Sequence, residues 1–173
     1  SAEIGLIAVI GSWIIGLPVG ILSAIKPNSI WDILASSTTV LFLAIPNFWL
    51  GLLILLTAIT FWNYHPPLVG VHLWEDPWAN FQIVIGPAVV LATSMAAIIA
   101  RMARSSLFEV LREDYVRTAR AKGLREWPTI VSHALPNALL PVLTISGVML
   151  GFVLGGSVAV EVAFNTPGIG NTM

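Results

Sequence analysis

SLFEVLREDYVRTARAKGLREWPTIVSHALP, running from Ser106 to Pro136, is the stretch against which the rest of this chain is read. Arg101, Arg104, Arg112, Arg117, Arg120, Lys122 and Arg125 lie in or just before it and make up seven of the chain's eight Lys and Arg residues. Four of its nine acids, Glu109, Glu113, Asp114 and Glu126, stand among or beside them. The remainder is largely apolar and uncharged. A compact charged insert in an otherwise oily chain implies a loop kept in water while its flanks sit in lipid.

Local signals predict a helix, a glycine and a second helix within the insert. Ser106 followed by Glu109 reads as a capping box, which would start a helix at that serine. Glu113 and Arg117 form an i,i+4 pair in the favourable order. Leu107, Leu111, Tyr115 and Ala119 recur at one-turn spacing and give the helix an apolar side. Arg117, Arg120 and Lys122 suit a helix C-terminus, and Gly123 supplies a left-handed stop. Pro128 fits the first turn of a second short helix, which Pro136 is expected to end. Pro136 and Pro141 would then allow a bend before the next apolar run.

Beyond the insert, four stretches are long enough to cross a bilayer, which takes about 20 residues: 4–25, 33–62, 81–100 and 138–160. At 173 residues one soluble domain is possible, but 57% hydrophobic and 10% charged residues argue against it, since soluble domains average about 25% charged. No cysteine is present, which excludes disulfides and thiolate chemistry. A net charge of −1 gives no case for nucleic-acid binding. No basic leader or cleavage site precedes the first apolar run.

Basic residues set the expected orientation. The segment around Lys26 (26–32) and the insert (101–135) fall on one side of four alternating spans, which is the cytoplasm. The loop 63–80 carries Glu75 and Asp76 but no Lys or Arg, so it is expected outside, as are both chain ends. Trp62, Trp74 and Trp78 suit the outer interface, and Trp31 and Trp127 the inner one. Asp32 reads as an interfacial flanking charge.

Within the spans, Gly147, Gly151 and Gly155 recur every four residues, and Gly16 with Gly20 repeats the spacing. Such faces allow close helix approach, for packing or for lining a path. Pro18, Pro46 and Pro87 interrupt apolar runs and promote kinks. Pro46-Asn47 also places an amide deep in a long span, as interhelical glue or on a translocation path. His133 has no second ligand at metal spacing and reads as an interfacial hydrogen-bonding residue. Glu161 reads as a solvated charge closing the fourth span. No phosphate-binding loop, His-Glu-x-x-His or catalytic triad spacing is present. No catalytic residue, metal site or cofactor is therefore expected, and ATP hydrolysis would need another subunit.

The insert resembles the cytoplasmic loop signature of binding-protein-dependent ABC importer permeases: Glu-Ala-Ala, three residues, Gly, nine residues, Ile, one residue, Leu-Pro. Here it stands as Arg117-Thr118-Ala119, Gly123, then His133, Leu135 and Pro136. Ala119, Gly123, Leu135 and Pro136 match, whereas Arg117, Thr118 and His133 depart. Asp114 through Leu124, Ile45-Pro46-Asn47-Phe48-Trp49, Glu161-Val162-Ala163-Phe164 and Pro167-Gly168-Ile169-Gly170 are similar to the dipeptide, oligopeptide and nickel subgroup.

The resemblance implies an all-α, polytopic helical membrane protein of the bacterial or archaeal cytoplasmic membrane. It would have four spans and a cytoplasmic helix-Gly-helix coupling insert in one permease domain. It implies docking of the insert on cytoplasmic ABC ATPase subunits, a second homologous permease, an extracytoplasmic substrate-binding protein, and peptide or nickel-chelate cargo. It also implies a folded loop around Glu161 that plugs or borders the pathway. Relatives usually carry one more span on each side, so a fragment of the type I importer permease fold is expected. The alternative is a secondary transporter or membrane enzyme whose charged loop is only a solvated tether. Intramembrane carboxylates or a catalytic pair would favour that alternative, and the spans supply neither.

Overall fold

The computed structural model describes residues 2–63, 73–154 and 158–164. Among the described residues there are helices and short turns, with no strand. The helices are α1 (Ala2–Ile25), α2 (Ile30–Ala44), α3 (Asn47–Trp62), α4 (Pro77–Val110), α5 (Asp114–Ala121), α6 (Glu126–Thr129), α7 (Leu135–Leu154) and α8 (Val158–Ala163), with a π-helical turn (Ile130–Ala134) between α6 and α7. Gly155 and the motif at 167–170 lie outside the described residues.

Capping chemistry fixes several starts. Ser29 opens α2 by accepting from the Asp32 N–H at 3.2 Å. Asp76 opens α4 by accepting from the N–H groups of Trp78 and Ala79 at 3.0 and 3.1 Å. Pro77 follows at the first helical position, where its missing N–H costs nothing.

The core is three helices. α1 and α4 run parallel, with Gly11 against Ala92, Gly16 against Ala96 and Gly20 against Ala100. α7 runs antiparallel to both: Gly5 meets Val153, and the Trp13 indole N–H donates to the Ser146 hydroxyl at 2.8 Å. The glycines of α1 let its backbone approach α4 closely, which is how helices gain contact where water provides no driving force between them.

Among the described residues, three helices are long and apolar enough to cross a membrane: Ala2–Ile25, Pro77–Val110 and the continuous Glu126–Val153. The stretch 33–62 is not one rod. It is divided between α2 and α3, which meet at 96° and pass the same test only as a pair. The break falls where the sequence places Pro46. Ile45 before it is extended (φ −83°, ψ 123°), because a residue preceding proline is driven out of the helical region, and Pro46, also extended (φ −62°, ψ 136°), stands just before α3.

Two expected boundaries are corrected. The helix does not start at Ser106. That serine is buried inside α4, and Glu109 instead accepts from Ser105 at 3.5 Å. Ala96, Ile99, Ala100, Ala103 and Leu107 are all buried, so an apolar face continues at one-turn spacing through the supposed start. Burying that face outweighs a local cap. The 34-residue helix is about 51 Å long at 1.5 Å per residue, well beyond a hydrocarbon core of about 30 Å. The surplus accommodates the charged end from Arg101 onward.

Pro136 likewise does not end a helix, and neither it nor Pro141 breaks the rod between the insert and α7. The Leu135 N–H bonds to the Ile130 carbonyl, five residues back. This widened turn immediately before Pro136 makes room for a ring that would otherwise clash with the carbonyl four residues earlier.

Candidate functional site

The charged insert is a short excursion between α4 and α7. The last turn of α4 tightens, with Arg112 N–H on Glu109 O at 3.0 Å and Glu113 N–H on Val110 O at 3.1 Å. α5 then turns away. Its end is a two-bond stop: Gly123 N–H donates to Arg120 O at 2.9 Å and Leu124 N–H to Ala119 O at 3.3 Å. This pairing needs the first of the two donors to be left-handed, and Gly123 has φ +83°.

One side of the insert is welded to the bundle. Leu107, Val116, Ala134 and Ala138 are buried together with Ala24, bringing the ends of α1 and α4 onto α5 and the start of α7. The other side is polar and exposed. Arg120 clasps Glu126 through two bonds of 2.5 and 3.1 Å, tying α5 to α6. The ion pair expected between Glu113 and Arg117 is replaced by Asp114 to Arg117 at 3.6 Å, because Glu113 is the residue before α5 rather than within it. The Tyr115 hydroxyl accepts from Asn137 Nδ2 at 2.9 Å, joining α5 to α7.

The signature residues divide accordingly. Ala119 is buried and Leu135 half-buried, whereas Arg117, Thr118, Gly123, Leu124, His133 and Pro136 are exposed. A Cβ added at Gly123 would meet nothing within 4 Å. Within this chain, then, only its backbone angle requires glycine, and its surface is free for contact.

The second group of candidates does not converge. Asn47 opens α3 and accepts from the Ser94 hydroxyl of α4, so the amide fastens the α2–α3 corner to the bundle. Gly147 and Gly151 face open space: a Cβ at either meets nothing within 4 Å. The glycine pair with a partner inside this chain is Gly16 and Gly20. Glu161 is not a solvated end charge but fully buried, because α8 folds back against α3 and α4. Beyond it the Phe164 ring lies between Gly51 and Gly86, where an added Cβ would come within 2.8 and 2.6 Å of the ring.

Sequence reasoning missed one site altogether. Asp32, taken as a flanking charge, is buried and receives both Nε and Nη2 of Arg104 at 2.7 and 2.8 Å. It also accepts from the Ser23 hydroxyl and from the Asn28 N–H at 2.9 Å. The sequence signal was weak: a lone acid and a lone base, 72 residues apart, each at the end of an apolar run.

An all-α bundle with several apolar rods, one bent pair and a rigidly based polar insert has the build of a multi-pass membrane protein. Residues 16–173 match the family described as "Binding-protein-dependent transport system inner membrane component", and the chain belongs to that family. It is a protein of the cytoplasmic membrane. It is 39% identical to the dipeptide transport system permease protein DppB of Escherichia coli (strain K12), over 97% of this chain and 56% of that protein. It is 42% identical to the oligopeptide transport system permease protein AppB of Bacillus subtilis (strain 168), over 95% and 53%. It is 41% identical to the glutathione transport system permease protein GsiC of Pectobacterium atrosepticum, over 92% and 50%. The chain thus spans about half the length of the curated relatives it matches, and those relatives place it in the peptide subgroup of ABC importer permeases.

Proposed function

We propose that this chain is the pathway-forming part of a permease subunit in an ATP-driven peptide importer. Its insert docks on cytoplasmic ATPase subunits that carry out the hydrolysis. A second homologous permease and an extracytoplasmic binding protein complete the assembly. The observation that carries the reading is the two-sided build of the insert. An exposed surface of Arg117, Thr118, Gly123 and Leu124 stands on a buried cluster shared by α1, α4, α5 and the start of α7. A push on that surface is transmitted to several helix ends at once, because close-packed contacts yield little. The dipeptide and oligopeptide permeases among its relatives support peptides as the cargo class.

Gly123→Val tests the docking. A β-branched residue at φ +83° is strained by roughly 1–2 kcal/mol, and its side chain projects from the exposed tip. In the intact transporter, membrane insertion is expected to persist, while peptide uptake falls at least tenfold relative to ATP hydrolysis. Normal uptake at matched expression would remove the docking role.

Orientation is tested separately. Cysteines introduced at Thr118 and Asp76 should label from opposite faces of the membrane, Thr118 only from the cytoplasm. Labelling of Thr118 from outside intact cells would invert the topology and dismiss any contact with a cytoplasmic ATPase.

A further inference from the structure

α2 and the corner that joins it to α3 are each fastened to α4 by a polar side chain. At one end Asp32 grips Arg104 through the two-bond fork. At the other, Asn47 beside the Pro46 break accepts from Ser94. Between them α2 stays in contact with α4, and α1 packs alongside. A groove of about 730 Å³ opens there, lined by residues such as Val19, Thr38, Phe42, Thr93 and Ala97. The residues that α2 buries are the polar Asp32 and Thr39, so the polar pins help to set where α2 lies.

Their placement on α4 matters. Ser94 and Arg104 sit ten residues apart on one helix, about 15 Å at 1.5 Å per residue. Arg104 lies six residues before Val110, where α4 gives way to the insert. A paired guanidinium and carboxylate hold a fixed plane as well as a fixed distance. Rotation or translation at the insert end of α4 therefore reaches α2 through Arg104 first. The carboxylate is also bonded to Ser23 of α1 and to Asn28 N–H in the α1–α2 turn, so that turn is carried along.

We propose that Asp32 is a positioning residue that, through Arg104, makes the bent α2–α3 pair follow α4 when the insert is displaced. The proposal rests on the insert being the ATPase-docking element. It adds the route by which that displacement reaches a helix the insert does not touch through its buried base.

The test uses the intact transporter with its ATPases, reconstituted in proteoliposomes. Spin labels at Val40 on α2 and Leu143 on α7 report one distance, and labels at Glu109 and Leu143 report α4 against α7. Each is measured without nucleotide and after trapping with ATP and vanadate. In the parent both distances shift on trapping. In Asp32→Asn the ATPases still co-purify and hydrolyse ATP and the Glu109 distance still shifts, but the Val40 shift falls by at least half. A static brace would offset the resting Val40 distance and leave its response to nucleotide intact; that result overturns the proposal. So does a parent whose Val40 distance never responds. Should Asp32→Asn fail to assemble, Arg104→Lys, which keeps the charge but loses the fork, is read in the same way. Loss of assembly in both assigns the pair to stability alone and also overturns it. Failure of docking is seen elsewhere, as ATPases that do not co-purify with the parent or a Gly123→Val that transports normally.

Discussion

Gly20→Ala is expected to cost a large share of the protein's stability, although it adds a single methyl group. A Cβ at Gly20 would lie 2.5 Å from the Ala100 carbonyl oxygen, 2.9 Å from the Ala103 Cβ and 3.1 Å from the Ala100 Cα. None of these is the end of a flexible side chain, so no rotamer change relieves the overlap. α1 must move off α4, and the buried contacts on either side, from Ala8 to Ala24, open with it. Overpacking a tight interior costs about 1–3 kcal/mol and occasionally more. With backbone as the obstacle we expect about 3 kcal/mol, against a total stability on the order of 5–15 kcal/mol. Gly151→Ala and Gly147→Ala are the matched controls. Nothing of this chain lies within 4 Å of either added Cβ, and alanine favours a helix over glycine. Thermal denaturation in detergent should rank Gly20→Ala far below both. A Gly20→Ala protein as stable as the parent would mean that α1 and α4 do not meet along this seam.

Arg104→Gln should destabilise the protein more than Asp32→Asn, although the two substitutions break the same ion pair. The Asp32 side chain is 5% exposed and that of Arg104 37%. Removing the arginine strands a buried carboxylate with only neutral donors, the Ser23 and Ser36 hydroxyls and the Asn28 N–H, for company. Breaking a buried pair in this way costs about 3–5 kcal/mol. Water reaching the exposed side of the pair reduces that to about 2–3 kcal/mol. Removing the aspartate leaves an arginine whose long stem can carry its head to water. An asparagine at 32 retains one oxygen for the Asn28 N–H, and the Ser23 hydroxyl can turn to accept from its Nδ2. Chemical denaturation of both variants in the same detergent gives the comparison. Equal losses, or a greater loss in Asp32→Asn, would show that the carboxylate is better hydrated than its burial implies.

Features set by a few neighbouring residues were legible without coordinates. The Gly123 stop depends on hydrogen bonds spanning Ala119 to Leu124, and on glycine tolerating φ +83°. The placement of Pro128 in a first helical turn and the interruption at Pro46 are of the same kind, because proline constrains only itself and its immediate neighbours. The apolar runs and the one charged insert likewise identified an all-α membrane protein, since only such a chain reconciles that composition with its backbone polar groups.

Which faces meet was decided by tertiary structure alone. Gly16 with Gly20 and Gly147 with Gly151 carry the same spacing, yet Gly16 and Gly20 are pressed against α4 while Gly147 and Gly151 face open space. Ser106 and Glu109 satisfy a capping pattern that the continued burial of Ala103 and Leu107 overrides. Glu161 reads as a terminal charge until α8 folds it inward. Asp32 and Arg104 lie on separate runs, and no local rule connects them. Hydrogen-bond rules act over about six residues and so can be read along a chain. The stabilisation that comes from burying a glycine seam or pairing a charge exists only once a neighbouring helix occupies the adjacent space, and the sequence does not say which helix that will be.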